Sequence, residues 1–71
     1  ESSEEGMIER LALREAIGKL PEREKMTILL RFFKGMTQQQ AAYILGVSQV
    51  QVSRLERRAI EKLHLALSDE A

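Results

Sequence analysis

Residues 37–63 read Thr-Gln-Gln-Gln-Ala-Ala-Tyr-Ile-Leu-Gly-Val-Ser-Gln-Val-Gln-Val-Ser-Arg-Leu-Glu-Arg-Arg-Ala-Ile-Glu-Lys-Leu, and this stretch decides the fold. Two helix starts lie in it. Thr37 with Gln40 has the spacing of a capping box, in which the hydroxyl takes one free backbone N–H and the glutamine reaches back to another. Ser48 with Gln51 repeats that spacing. Between them Gly46 stands where a short helix must stop and the chain must turn, which a residue without a Cβ does at little cost. Two helices, the first short, joined by a tight glycine-containing turn are the mark of a helix-turn-helix.

The two helices carry their own internal logic. The shorter, 38–45, offers Ala41, Ala42 and Leu45 to a core and turns Tyr43 and its glutamines outward. The longer, 49–67, has a stripe of Val52, Leu55, Ala59, Leu63 and Ala66 for the core, flanked by Ile60 and Leu67. Its opposite face holds Val50, Ser53, Arg54, Arg57, Arg58 and Glu61. A helix that only faced water would need no valine there.

Upstream, the apolar residues Met7, Ile8, Leu11, Leu13, Ala16, Ile17 and Leu20 fit a helix over 7–20 better than a strand. Pro21 closes that segment and suits the start of a second helix over 21–34, whose first turn holds Glu22 and Glu24 against the positive end of the helix dipole. This second helix is apolar on two sides: Ile28 and Phe32 share one with Glu24 and Arg31, and Met26, Leu29, Leu30 and Phe33 form a stripe on the other. A two-sided helix is either central to the core or keeps part of one stripe for a partner. Gly35 should end it as a left-handed cap, with Met36 packing back. The expectation is thus an all-α, small four-helix domain over 7–67 with a C-terminal helix-turn-helix. A flexible N-terminal linker over 1–6 and a polar tail over 68–71 complete it. The chain opens on Glu1 rather than methionine, which suggests a segment of a longer protein.

Size and composition narrow the chemistry. A chain of 71 residues makes one domain and buries only roughly 60% of its unfolded surface, leaving no room for a deep substrate pocket. Without cysteine there are no disulfides and no thiolate metal sites, which suits a reducing cytosol. No apolar run approaches the about 18 residues of a membrane span, and no signal-peptide pattern is present. His64 stands alone near a helix end with no nucleophile–base arrangement, so no catalytic residue, metal, cofactor or small-molecule substrate is expected. The net charge of zero hides a division: residues 25–67 hold seven bases (Lys25, Arg31, Lys34, Arg54, Arg57, Arg58, Lys62) against Glu56 and Glu61. A surplus of five on the helix-turn-helix side is the footprint expected for a polyanion.

A recognition helix puts its first turns against base edges in the major groove. Gln49, Val50, Ser53 and Arg54 occupy those turns, and their chemistry covers the groove code: arginine forks onto guanine, glutamine pairs with adenine, serine is permissive and valine covers a thymine methyl. Arg57, Arg58 and Lys62 follow, better placed for phosphates, and Thr37 at a helix start could turn its N–H to another.

Leu20-Pro-Glu-Arg-Glu-Lys, Leu30-Arg-Phe-Phe-Lys-Gly, Thr37-Gln and Gly46-Val-Ser-Gln-Val-Gln-Val-Ser-Arg-Leu-Glu together resemble region 4 of a bacterial sigma-70-family RNA polymerase sigma factor. The glutamine- and valine-rich segment is similar to the sporulation and general-stress group. The likeness runs over about residues 7–67, and 48–56 is its most specific part. It implies binding to the −35 promoter element and docking on the flap of the polymerase β subunit; an anti-sigma factor is a further candidate partner that the sequence itself does not specify. By position it assigns base reading to Gln49, Val50, Ser53 and Arg54, phosphate contact to Arg23, Thr37, Arg57 and Arg58, and polymerase docking to the segment containing Met26, Leu29, Leu30 and Phe33. The base-reading positions lack the charge-rich set of housekeeping sigma factors, which implies a different −35 preference.

Two other readings compete. A response-regulator DNA-binding domain has a similar helix pattern and Leu-x-x-Arg-Glu opening, but would bind symmetric half-sites as a dimer. A pure protein-interaction module, held by an anti-sigma factor through its apolar stripe, would leave the basic face idle.

Overall fold

The computed structural model describes residues 3–69, and the side chains of residues 10–68. Its elements are α1 (Ser3–Gly18), α2 (Glu22–Ile28) continued by a π-helical turn (Leu29–Phe33), α3 (Gln38–Leu45) and α4 (Gln49–Asp69). This is an all-α domain of four helices that ends in a helix-turn-helix. Ser3–Gly6, expected to belong to an aperiodic linker, lie within α1, and Ser68 and Asp69 prolong α4. Residues 1–2 and 70–71, the remaining parts of the expected linker and tail, lie outside the described residues.

The helix ends follow from the residues placed there. Pro21, at φ −54° and ψ 151°, precedes α2, and its carbonyl accepts from Lys25 N at 2.8 Å. Thr37 forms the full capping box: its hydroxyl accepts from Gln40 N at 3.1 Å, and its own N–H donates to Gln40 Oε1 at 3.0 Å. Gly35 and Gly46 are left-handed, at φ 71° and 73°, a conformation that would strain a residue carrying a Cβ. After Gly46 the N–H of Val47 returns to the Ala42 carbonyl at 3.1 Å, closing α3 and setting the corner.

Two apolar clusters form the core, and α4 supplies both. Ala59 packs with Ile17, Leu20 and Ile28, bordered by Leu13 and Leu63. Val52 packs with Leu30, Ala41 and Ala42, bordered by Met36, Leu45 and Val47. Val52, Ala59 and Ala41 are all 0% exposed. Three alanines at these contacts let the helix backbones approach closely, so that a small chain closes a core with few large side chains. The expected stripe on α4 therefore holds through Leu63, but Ala66 is exposed: it borders a shallow cleft toward Ala12, Ala16 and Lys19 that the short side chains leave unfilled. Met7 and Ile8, expected on the inner side of α1, lie outside the residues whose side chains are described.

The second helix departs from the sequence pattern. Its buried side is Glu24, Thr27 and Ile28, joined by Leu30, and not the stripe that links Met26 to Phe33. Thr27 is 0% exposed, and its hydroxyl donates to the Arg23 carbonyl at 2.8 Å, so no polar atom is stranded by the burial. Past Ile28 the hydrogen bonds widen, with Lys34 N donating to Leu29 O at 3.0 Å and Met36 N to Leu30 O at 3.0 Å. The wide turn breaks the register of about 100° per residue. Leu30 consequently enters the core while Phe32 and Phe33 emerge 55% and 62% exposed.

Ala59→Leu should overfill the contact with Ile17, Leu20 and Ile28. A loss of about 1–3 kcal/mol in urea denaturation, with helical circular dichroism retained, is the expected result.

Candidate nucleic-acid interface

With Val52 and Ala59 turned inward, the other side of α4 faces outward as a set. Gln49, Val50, Ser53, Arg54, Arg57 and Arg58 are all exposed, Val50 by 60%. Ser48 caps the helix, its hydroxyl accepting from Gln51 N at 3.1 Å. Among the described residues the return bond that Gln40 makes to Thr37 has no counterpart from Gln51 to Ser48, so the Gln51 amide is left exposed. It borders an open depression with Val50, Arg54 and Arg58. In the sequence the spacing of Gln51 from Ser48 suggests a cap, which hides it as a contact residue.

A polar chain ties this face to the rest of the domain. Glu56 Oε1 accepts from Arg31 Nε at 2.7 Å and from Gln38 Nε2 at 3.2 Å. Arg31 Nη1 also donates to the Met36 carbonyl at 2.6 Å, and Gln38 Oε1 accepts from Gln49 Nε2 at 3.2 Å. The side chains of Arg31 and Glu56 are only 24% and 16% exposed, so the pair is shielded from much of the solvent screening that weakens surface ion pairs. One carboxylate thus joins the end of the second helix, the start of α3 and the body of α4. The pairing of Arg31 with Glu56 is invisible in the sequence, since a contact between positions 25 apart leaves no periodic trace.

Other candidates are placed differently from expectation. Lys62, assigned to phosphate, lies 3.1 Å from each carboxylate oxygen of the buried Glu24 and donates to Oε2, while Oε1 has ion-pair proximity but no aligned donor. The ammonium is therefore drawn toward α2 as a partner for a carboxylate that burial would otherwise strand. Thr37 spends its N–H on Gln40, so the groups at the start of α3 that remain to meet a phosphate are the N–H groups of Gln38 and Gln39. Arg23 is exposed on the first turn of α2, one residue from the Glu24 that pairs with Lys62. Of the docking stripe, Met26 and Leu29 are half-buried and Phe33 is exposed, but Leu30 is in the core and is removed from that surface. His64 is exposed, and among the described residues no three histidine or acidic side chains gather as metal ligands.

The sequence model for Sigma-70, region 4 matches residues 16–64. The chain belongs to that family. Its similar proteins include the RNA polymerase sigma-F factor of Bacillus subtilis, 45% identical over 67 residues (94% of this chain, 26% of the relative). The RNA polymerase sigma-G factor of the same organism is 51% identical over 57 residues (80% and 22%). The RNA polymerase sigma factor SigF of Mycobacterium tuberculosis is 46% identical over 54 residues (76% and 21%). The chain spans about a quarter of the length of these relatives. No solved structure matches it significantly. The part matched as region 4 takes in both core clusters apart from Leu13, as well as the polar chain through Glu56 and the whole outward face of α4 down to Arg58. No described helix is long and apolar enough to cross a membrane.

Arg31→Met should leave the Glu56 carboxylate half-paired and the Met36 carbonyl without its donor, lowering stability by about 1–3 kcal/mol in urea titration. Arg58→Ala, on the exposed face, should stay within about 0.5 kcal/mol of the parent.

Proposed function

We propose that this region 4 domain reads the −35 element of promoter DNA in transcription initiation and docks on the flap of the RNA polymerase β subunit, acting by binding and not by catalysis. One observation carries the reading: Val50, 60% exposed, stands beside Arg54 on the side of α4 opposite Val52 and Ala59, both 0% exposed. A valine held out of the core next to an arginine suits a groove that offers both a thymine methyl and guanine acceptors. Val50, Ser53 and Arg54, with Gln49, meet base edges. Arg57 and Arg58 follow on the same face and meet phosphates, fixing register without selecting sequence. Because the relatives are named RNA polymerase sigma-F and sigma-G factors, the polymerase is the partner to which the exposed apolar surface is assigned. Met26, Leu29 and Phe33 supply it here, and Phe32 adds to it. The promoters served are those of the sporulation and general-stress group, and an anti-sigma factor is the regulator that such a surface admits.

Arg54→Ala should cost about 1–3 kcal/mol on the preferred promoter and relax selectivity at one base pair. Arg57→Ala should instead weaken binding to all sequences alike and reduce the slope of log K against log salt by about one. Both are read by titrating −35 duplex variants across a salt series with the polymerase-bound protein. Equal loss of base selectivity from the two substitutions would contradict the division of labour along α4. Phe33→Ala should lower affinity for the β flap while leaving the urea midpoint unchanged. A lowered midpoint with intact docking would return Phe33 to a structural role.

A further inference from the structure

We infer that Gln38 is a positioning residue for base recognition: it fixes the direction of the Gln49 amide, so that Gln49 selects an adenine in the DNA strand it faces. The inference rests on the promoter-reading function proposed above and adds to it the residue that holds Gln49 in the one orientation suited to the adenine its chemistry favours. Its foundation is the one-way polarity of the chain of hydrogen bonds that starts at Glu56.

An ionised carboxylate accepts and does not donate. Glu56 Oε1, already taking Arg31 Nε at 2.7 Å, can receive Gln38 at 3.2 Å only through the Gln38 NH2 group. The Gln38 carbonyl oxygen must then face away from Glu56, and it is this oxygen that lies 3.2 Å from Gln49 Nε2. Gln49 is thereby compelled to donate. Reversing either amide would set oxygen against oxygen or NH2 against NH2. An anion seated on α4 two links away thus dictates which way round the Gln49 amide stands.

What remains on Gln49 is its carbonyl oxygen and the second N–H of its NH2 group. In the major groove adenine presents an acceptor, N7, next to a donor, the N6 amino group, and matches both. Guanine presents two acceptors, one of which would meet the glutamine oxygen. Cytosine and thymine each offer a single polar group of one kind. A free glutamine could turn over to suit some of these. One held by Gln38 cannot do so without breaking its own bond. Gln38 and Gln49 are the first residues of α3 and α4, so both sit on helix starts whose relative placement is fixed by the Gly46 corner and the packing of Val52 on Ala41 and Ala42. The bond to Gln38 therefore biases the Gln49 amide toward one orientation before DNA arrives, which favours the one matching base over alternatives.

The test uses RNA polymerase holoenzyme whose sigma factor carries this region, with each base pair of the −35 element varied in turn and promoter use measured by transcription. The parent should show one pair at which A·T, in one orientation, is preferred, and Gln49→Ala should abolish that preference. Gln38→Ala and Gln38→Met should each reduce it by about tenfold, within the range of one bidentate contact, and leave selectivity at the other pairs unchanged. In the Gln49→Ala background, Gln38→Ala should do nothing further to selectivity. Preserved A·T preference in both Gln38 variants, or an equal fall on every promoter, would overturn the inference while leaving promoter reading intact. Preference for G·C at the pair that Gln49 controls would overturn it too. Indifference of the parent at every pair would contradict the promoter reading itself, and the inference with it.

Discussion

The carboxylate of Glu56 is the constraint on which the arrangement depends. A recognition helix must be fixed in three respects: its axis, its position along that axis, and its rotation about it. Packing of Val52 and Ala59 sets the first two, because both are fully buried in separate clusters and α4 cannot tilt or slide without opening one of them. Rotation is held less firmly by small apolar side chains, which slide over one another at modest cost. Glu56 resists it through its short charge-paired bond to Arg31 on the second helix, while its longer bond to Gln38 orients that amide rather than the helix. A turn of one residue, about 100°, would carry Val50 and Arg54 out of any groove that the present face can enter.

A second ion pair acts at the far end of the same helix. Glu24 is 5% exposed, and Lys62 reaches it from α4 at 3.1 Å. This pair ties the body of α4 to α2. Part of the basic surplus is engaged in internal contacts, Arg31 and Lys62 among them, and the outward side of α4 carries Arg54, Arg57 and Arg58 beside one acid, Glu61. The footprint for a polyanion is therefore narrower than a count of lysines and arginines over residues 25–67 suggests, and it is concentrated on one helix.

Much of this was legible in the chain itself, for reasons tied to particular residues. The corner of the helix-turn-helix could be read because Thr37, Gln40, Gly46 and Ser48 act within a few residues of one another, and local hydrogen bonding leaves a local pattern. The two faces of α4 could be read because a long helix on a flat core obeys one period. The second helix could not be read the same way. Its register changes at the π turn, and no periodic template anticipates a turn that takes an extra residue, so Leu30 was grouped with Phe33 when the fold separates them. Nor could the partners of Lys62, Gln38 and Glu56 be read. Those contacts span 38, 18 and 25 residues, and only the packed fold brings them together.

Since none of the 71 residues is cysteine, a photoreactive probe on a single introduced cysteine reports one position in this segment. The decisive comparison places it at Ser53→Cys on the outward face of the second turn of α4 and at Ser68→Cys in its last turn, in sigma factor assembled with polymerase on promoter DNA. Both positions are exposed. The account predicts crosslinks from position 53 to bases within the −35 element and none from position 68. Absence of base crosslinks from position 53, or equal crosslinking from both, would show that this face of α4 does not enter the groove.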